Sequence, residues 1–196
     1  YRWLDNNRKL MAKLSSFKTA GSNILEYLEW YADGRTISTK KGDVTVQNVT
    51  SYTDATTSYQ TFPGSQIEYT PPDGTLFLTY IMEFKHYYVD GANIGHFYCH
   101  VDNSSGTLTQ STRSRVTWYN NYHYDNNKIW KANFKVGGTE DIANGIIGPW
   151  TSARTMEWRF REYSSSYEFQ VNRLYHIDGT GSYANTAPIM TLIAYK

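Results

Sequence analysis

The chain has 196 residues, room for one domain with a substantial core. Its net charge of +1, with only 19% of residues charged, removes the electrostatic footprint that a nucleic-acid binder or a polybasic membrane anchor needs. Eighteen Tyr and six Trp, among abundant Thr, Ser and Asn, suit strands with polar, uncharged outer faces.

Residues 1–23 are mixed and polar without a clean period, and read as an irregular or partly helical N-terminal arm ahead of a domain over residues 24–196. The stretch from Ser22 to Tyr31 fits two readings. Asn23 with Glu26 three residues later is a capping box, and Ile24, Leu28 and Tyr31 share one helical face. Ile24, Glu26, Leu28 and Trp30 also alternate against Leu25, Tyr27, Glu29 and Tyr31, as in a strand. Local rules tilt toward a short helix, and Asp33-Gly34 would end either element.

After this the reading is β throughout. Asp43 to Thr53 alternates around Val44 and Val46, then slips at a bulge. Short strands are predicted over Tyr59 to Phe62, stopped by Pro63-Gly64, and over Gln66 to Thr70. Pro71-Pro72-Asp73-Gly74 is a turn, because proline fixes φ and glycine admits positive φ. It launches a long central strand with Leu76, Leu78, Tyr80, Met82 and Phe84 on one face. His96 to Val101 places Phe97, Cys99 and Val101 together, and Arg113 to Tyr119 pairs Val116 with Trp118. In Ile129 to Val136, Trp130, Ala132, Phe134 and Val136 turn inward, while Lys131, Asn133 and Lys135 form a solvated or edge-protecting row.

Thr155 to Glu162 sets Met156, Trp158 and Phe160 against Glu157, Arg159 and Arg161, a charged row that reads as a solvated face. Ser166 to Leu174 alternates on Tyr167, Phe169 and Val171. Ile189 to Tyr195 is apolar on both faces, which predicts burial on both sides. About nine or ten strands between turn signals, with no long helical period, indicate an all-β antiparallel sandwich.

Several motifs then resemble one family. Asn48-Val49-Thr50-Ser51, the run from Gly64 through Tyr69-Thr70-Pro71-Pro72-Asp73-Gly74-Thr75, His96-Phe97, Trp158-Arg159-Phe160-Arg161-Glu162-Tyr163 and the apolar C-terminal strand carry the likeness. Together they resemble virion structural proteins of marine phages and of large DNA viruses of algae, over roughly residues 24–195. The resemblance implies a jelly roll of the C1q and tumour-necrosis-factor type that assembles as a homotrimer with other virion proteins in a capsid, fibre or spike, and it favours the strand reading of Ser22 to Tyr31.

Chemistry is sparse. The single cysteine, Cys99, excludes an intrachain disulfide and reads as a buried, inert thiol. His96 and His100 are four residues apart, which on a strand is about 13 Å, too far to share an ion. Surface or interface positions suit them better, so no metal and no cofactor is expected. Walker, nucleophile-elbow and calcium-loop patterns are absent, and no catalytic residue is named. The sequons at Asn48 and Asn103 read as unused, because no basic and apolar leader opens the sequence.

The alternative function is carbohydrate binding. Trp118 to Asn127 is loaded with aromatics and amides. Rings stack on sugar C–H faces and amides bond hydroxyls, so Tyr122, Tyr124, His123 and Asn120 are the candidate glycan contacts. His86-Tyr87-Tyr88 is a second aromatic patch of the same kind. A structural role in a virus particle remains the leading expectation.

Overall fold

The structure is a computed structural model. It describes residues 23–88, 93–103, 106–118, 126–141, 144–166, 169–175 and 183–196. Of the proposed arm, residues 1–23, all but Asn23 fall outside them.

The strands among the described residues are β1 (Ile24–Tyr31), β2 (Thr36–Thr39), β3 (Gly42–Thr45), β4 (Thr53–Asp54), β5 (Gln60–Thr61), β6 (Ile67–Tyr69), β7 (Phe77–Tyr88) and β8 (Asn93–Asn103). They continue as β9 (Gly106–Trp118), β10 (Asn126–Val136), β11 (Ile146–Ile147), β12 (Arg154–Glu162), β13 (Phe169–Val171), β14 (Arg173–Tyr175), β15 (Tyr183–Asn185) and β16 (Ile189–Tyr195).

Two sheets form the sandwich. One runs β1-β16-β7-β10-β11, with β13 and β4 attached to the end of β7; the other runs β5-β12-β8-β9, with β6 also on β12. If β5 and β6 are taken as one strand broken at Pro63-Gly64, the successive long strands switch sheets at each step except between β8 and β9, which pair side by side, and this is the order of a jelly roll. Pairing is antiparallel except for the two-residue parallel contact of β10 with β11.

The stretch Ile24–Tyr31 resolves against the local helix signals. It is strand β1, paired along β16. Glu26, the residue that completed the capping box, serves another purpose. Its carboxylate accepts the Tyr69 hydroxyl at 2.6 Å and the Lys40 backbone N–H at 2.6 Å. A carboxylate facing inward is tolerable when its oxygens are so used, and it ties β1 to β6 and to the β2–β3 turn.

The Pro-Pro-Asp-Gly turn forms as expected. Thr75 N donates to Pro72 O at 3.2 Å, and Gly74 has φ +83°. The strand after it begins one residue later than the alternation implied. Leu78, Tyr80, Met82 and Phe84 are buried, whereas Leu76 is 52% exposed and its backbone bonds to Tyr195 and Val136 at the rim.

Facing them across the core are Phe97, Cys99 and Val101 on β8 and Met156, Trp158 and Phe160 on β12, all buried as predicted. Phe62 sits between the sheets, with ring centroids 4.7 Å from Phe84 and 5.3 Å from Phe160. Burial pushes the Cys99 thiol far up, so it stays neutral. On β10 the inward and outward sets also match expectation, with Trp130 half-buried at the start.

Three expectations change in detail. The outer residues of β16, Ile189, Thr191, Ile193 and Tyr195, are only half-buried, because no second layer lies over that face among the described residues. The predicted strand from Ser166 to Leu174 breaks at buried Asn172, which adopts φ +61° and donates its side-chain N–H to Pro63 O at 3.2 Å. Asparagine enters the left-handed region more readily than other side chains, so the chain turns from β13 into the separate β14–β15 hairpin. Strand β9 begins at Gly106, well before Arg113. The expectations for Val116, Trp118 and Tyr167 concern side chains outside the described ones.

Candidate interaction surface

The outer face of the larger sheet is built by register. Strand pairing sets four rows across β1, β16, β7 and β10: Ile24–Tyr195–Phe77–Lys135, Tyr27–Ile193–Thr79–Asn133, Glu29–Thr191–Ile81–Lys131 and Tyr31–Ile189–Glu83–Ile129. Residues two apart point the same way, and the register shift between Ile24 and Glu26 brings Ile24 into the row of Tyr195, so these sixteen share one surface. Ile24, Tyr27, Tyr31, Phe77 and Ile129 are exposed, and Ile81, Ile189, Ile193 and Tyr195 are half-buried. Phe77 and Tyr195 stack at 5.6 Å. The margins differ in charge: Glu29 lies on β1, and exposed Lys131 and Lys135 lie on β10. This row of lysines is solvated as the sequence suggested.

The outer face of the smaller sheet is different in kind. Glu157 on β12 is buried, and His100 opposite it on β8 has no exposed area. His100 Nδ1 lies 3.1 Å from Glu157 Oε1. Arg159 Nε donates to the same oxygen at 2.5 Å, and Thr61 Oγ1 donates to Oε2 at 2.8 Å. Burial pushes the Glu157 carboxyl up, but the His100, Thr61 and Arg159 hydrogen bonds and the Arg159 charge outweigh it, and its pKa is held at about 2.

Two expectations are corrected here. Glu157 is not part of a solvated row, and His100 is not a surface histidine. Neither signal was visible in the sequence, because the cluster unites residues 61, 100 and 157 only through the β5-β12-β8 order.

Beyond this cluster the same face carries aromatic rings. Tyr59 and Tyr98 meet edge-on at 4.6 Å. The Arg161 guanidinium lies over the Tyr59 ring at 5.1 Å. Tyr163 is 57% exposed and stacks on His96 at 6.0 Å and 15°.

The glycan contacts expected from the sequence, Asn120, Tyr122, His123 and Tyr124, lie outside the described residues. In the second aromatic patch, His86 and Tyr87 are 1% exposed and cannot meet a ligand as a surface platform. His86 continues the buried face of β7, and Tyr87 takes Arg173 over its ring at 5.0 Å. Among the described residues no three His, Cys, Asp or Glu side chains gather as a metal site, and no helix is long and apolar enough to cross a membrane.

Strand order and these two faces define a jelly-roll β-sandwich protein. Among solved structures the chain is similar to infectious bursal disease virus of the Gx strain, with TM-score 0.37 and 10% identity over 87% of this chain and 37% of that one. It is similar also to the Gt strain of that virus, with TM-score 0.26 and 12% identity over 83% and 43%. A third likeness is to a mutant VP2 protein of the same virus in derived T=1 particles, with TM-score 0.27 and 13% identity over 83% and 41%. The chain thus spans less than half the length of each. No protein-family model and no curated protein sequence matches it.

Proposed function

We propose that the chain is a structural component of a virus particle and works by self-association as a homotrimer. The observation that carries the assembly reading is the apolar grid on the outer face of the β1-β16-β7-β10 sheet. Contiguous exposed apolar surface on a soluble domain marks a contact, and five exposed large hydrophobic side chains share this one face. The opposite charges at its margins let the acidic margin of one copy meet the basic margin of the next, the head-to-tail contact that closes a ring.

Placement in a virion, beside other virion proteins, is supported by the sequence motifs that resemble phage and algal-virus structural proteins. In this reading residues 24–196 form the jelly-roll module, residues 1–23 are an arm that docks it, and no catalytic role is assigned.

Light scattering across a concentration series tests the assembly. A mass of three times 22.6 kDa that persists at micromolar concentration supports it, and a monomer there rejects it. Detection of the chain in purified particles tests the virion placement separately.

A further inference from the structure

The geometry points to a second binding site, on the outer face of the smaller sheet, for a sugar that carries a carboxylate. The site centres on Arg161. Two arginines share this face of β12, and they are used differently. Arg159 is neutralised by buried Glu157 at 2.5 Å. Arg161 donates to the Glu162 carbonyl at 3.1 Å and, at the weak limit of 3.5 Å, to the Thr57 carbonyl. Among the described residues it has no carboxylate partner, so its charge is not cancelled locally.

One ring packs against this cation and two more stand beside it. Tyr59 packs beneath the guanidinium and is itself braced edge-on by Tyr98. His96 lies opposite Arg161 in the register and stacks on Tyr163. A guanidinium over an aromatic ring keeps its N–H edge free to meet an acceptor.

Tyr163 supplies the second element. One face of its ring is covered by His96, and 57% of the residue is open to solvent. A flat ring braced from behind is a platform for the C–H face of a pyranose, with little side-chain entropy left to lose. His96 is the register partner of Arg161 and lies 6.0 Å from the Tyr163 ring, so the ring and the guanidinium are neighbours on one face and a sugar stacked on the ring can turn its acidic substituent toward the cation. Stacking alone would accept neutral sugars, and the cation alone would accept any small anion. Together they select a sugar that is also an acid. This site lies on the sheet opposite the proposed assembly face and does not depend on that reading.

Titration of the full chain at neutral pH, followed by amide NMR shifts, tests the proposal with three probes. Methyl glucuronide and methyl glucoside differ only in the carboxylate, and acetate supplies the carboxylate without the ring. The expected result is glucuronide binding at least about tenfold tighter than either control, with shifts at Tyr59, His96, Arg161 and Tyr163. Arg161→Gln should erase the preference for glucuronide over glucoside. Tyr163→Ala, at an exposed position, should weaken glucuronide about tenfold without changing the melting temperature. Arg161→Lys keeps the charge but loses the fork, and should fall between wild type and Gln. Glucuronide no tighter than acetate, or no tighter than glucoside, overturns the proposal. So does glucuronide binding that survives both Arg161→Gln and Tyr163→Ala.

Discussion

The two outer faces of this sandwich are made of equally regular strands yet treat polarity in opposite ways. On the larger sheet, apolar side chains stand open, with Glu29 and the β10 lysines at the margins and Glu83 the charge within the rows. On the smaller sheet, Glu157 is drawn inward into a bonded cluster, while the Tyr163 ring and the Glu68 carboxylate stand exposed. Glu29 and Glu157 show the contrast: each lies on an outward row of its strand, but one bonds the Tyr27 hydroxyl at an exposed margin while the other is 3% exposed within a bonded cluster. A face whose polar groups satisfy one another adds stability to its own chain. A face with unsatisfied apolar area gains by meeting another molecule.

The largest expected effect comes from a change beneath both faces, and it calibrates the rest. Gly64 has φ +88°, and a Cβ there would lie 2.5 Å from Ala32 Cβ and 2.8 Å from Pro188 Cγ. Gly64→Ala should lower unfolding free energy by about 3 kcal/mol in denaturant titration. A loss below about 1 kcal/mol would show that the joint between β5 and β6 yields.

Next is the buried cluster on the smaller sheet. Glu157→Gln should cost about 2–3 kcal/mol, because Arg159 and His100 lose the charge they face. An unchanged melting temperature would make this face as passive as the other.

The same carboxyl predicts a pH profile. Its folded pKa, about 2, lies below its ordinary 4.5, so the folded state binds the proton less well than the unfolded chain does. The stabilisation is therefore complete above about pH 5 and is lost as pH falls toward 2, amounting to about 3 kcal/mol at most. Glu157→Gln should flatten the profile in that window, and an equally steep mutant profile would assign the acid sensitivity to other groups.

Smaller still in stability, though decisive for assembly, is Ile193→Asp at the middle of the apolar grid. Ile193 is half-buried, so unfolding free energy should change by about 1 kcal/mol, while the scattering mass drops to one chain. Mass retained would sink the contrast between the faces. The least effect is expected from Tyr27→Phe, which removes the exposed 2.7 Å bond to Glu29 and should cost under about 0.5 kcal/mol.

The long strands were legible because burial on one face imposes a period of two. β7, β8, β10 and β12 therefore announce themselves in the alternation of Leu78, Tyr80, Met82 and Phe84, of Phe97 and Cys99, of Ala132 and Phe134, and of Met156 and Trp158. The turn at Asp73-Gly74 was legible for a local reason, since few residues accept its backbone angles. β1 was not: Asn23 and Glu26 satisfy helix rules locally, and only pairing with β16 and the distant Tyr69 hydroxyl decides for a strand. Nor does any local pattern record that Glu157 meets His100 and Thr61, or that Tyr163 covers His96 beside Arg161. Chain composition and periodicity determined which residues are strands and which side of each is apolar. Strand order, a matter of contacts between residues as far apart as Ile24 and Tyr195, decided which outward residues became a buried network and which were left as open surface.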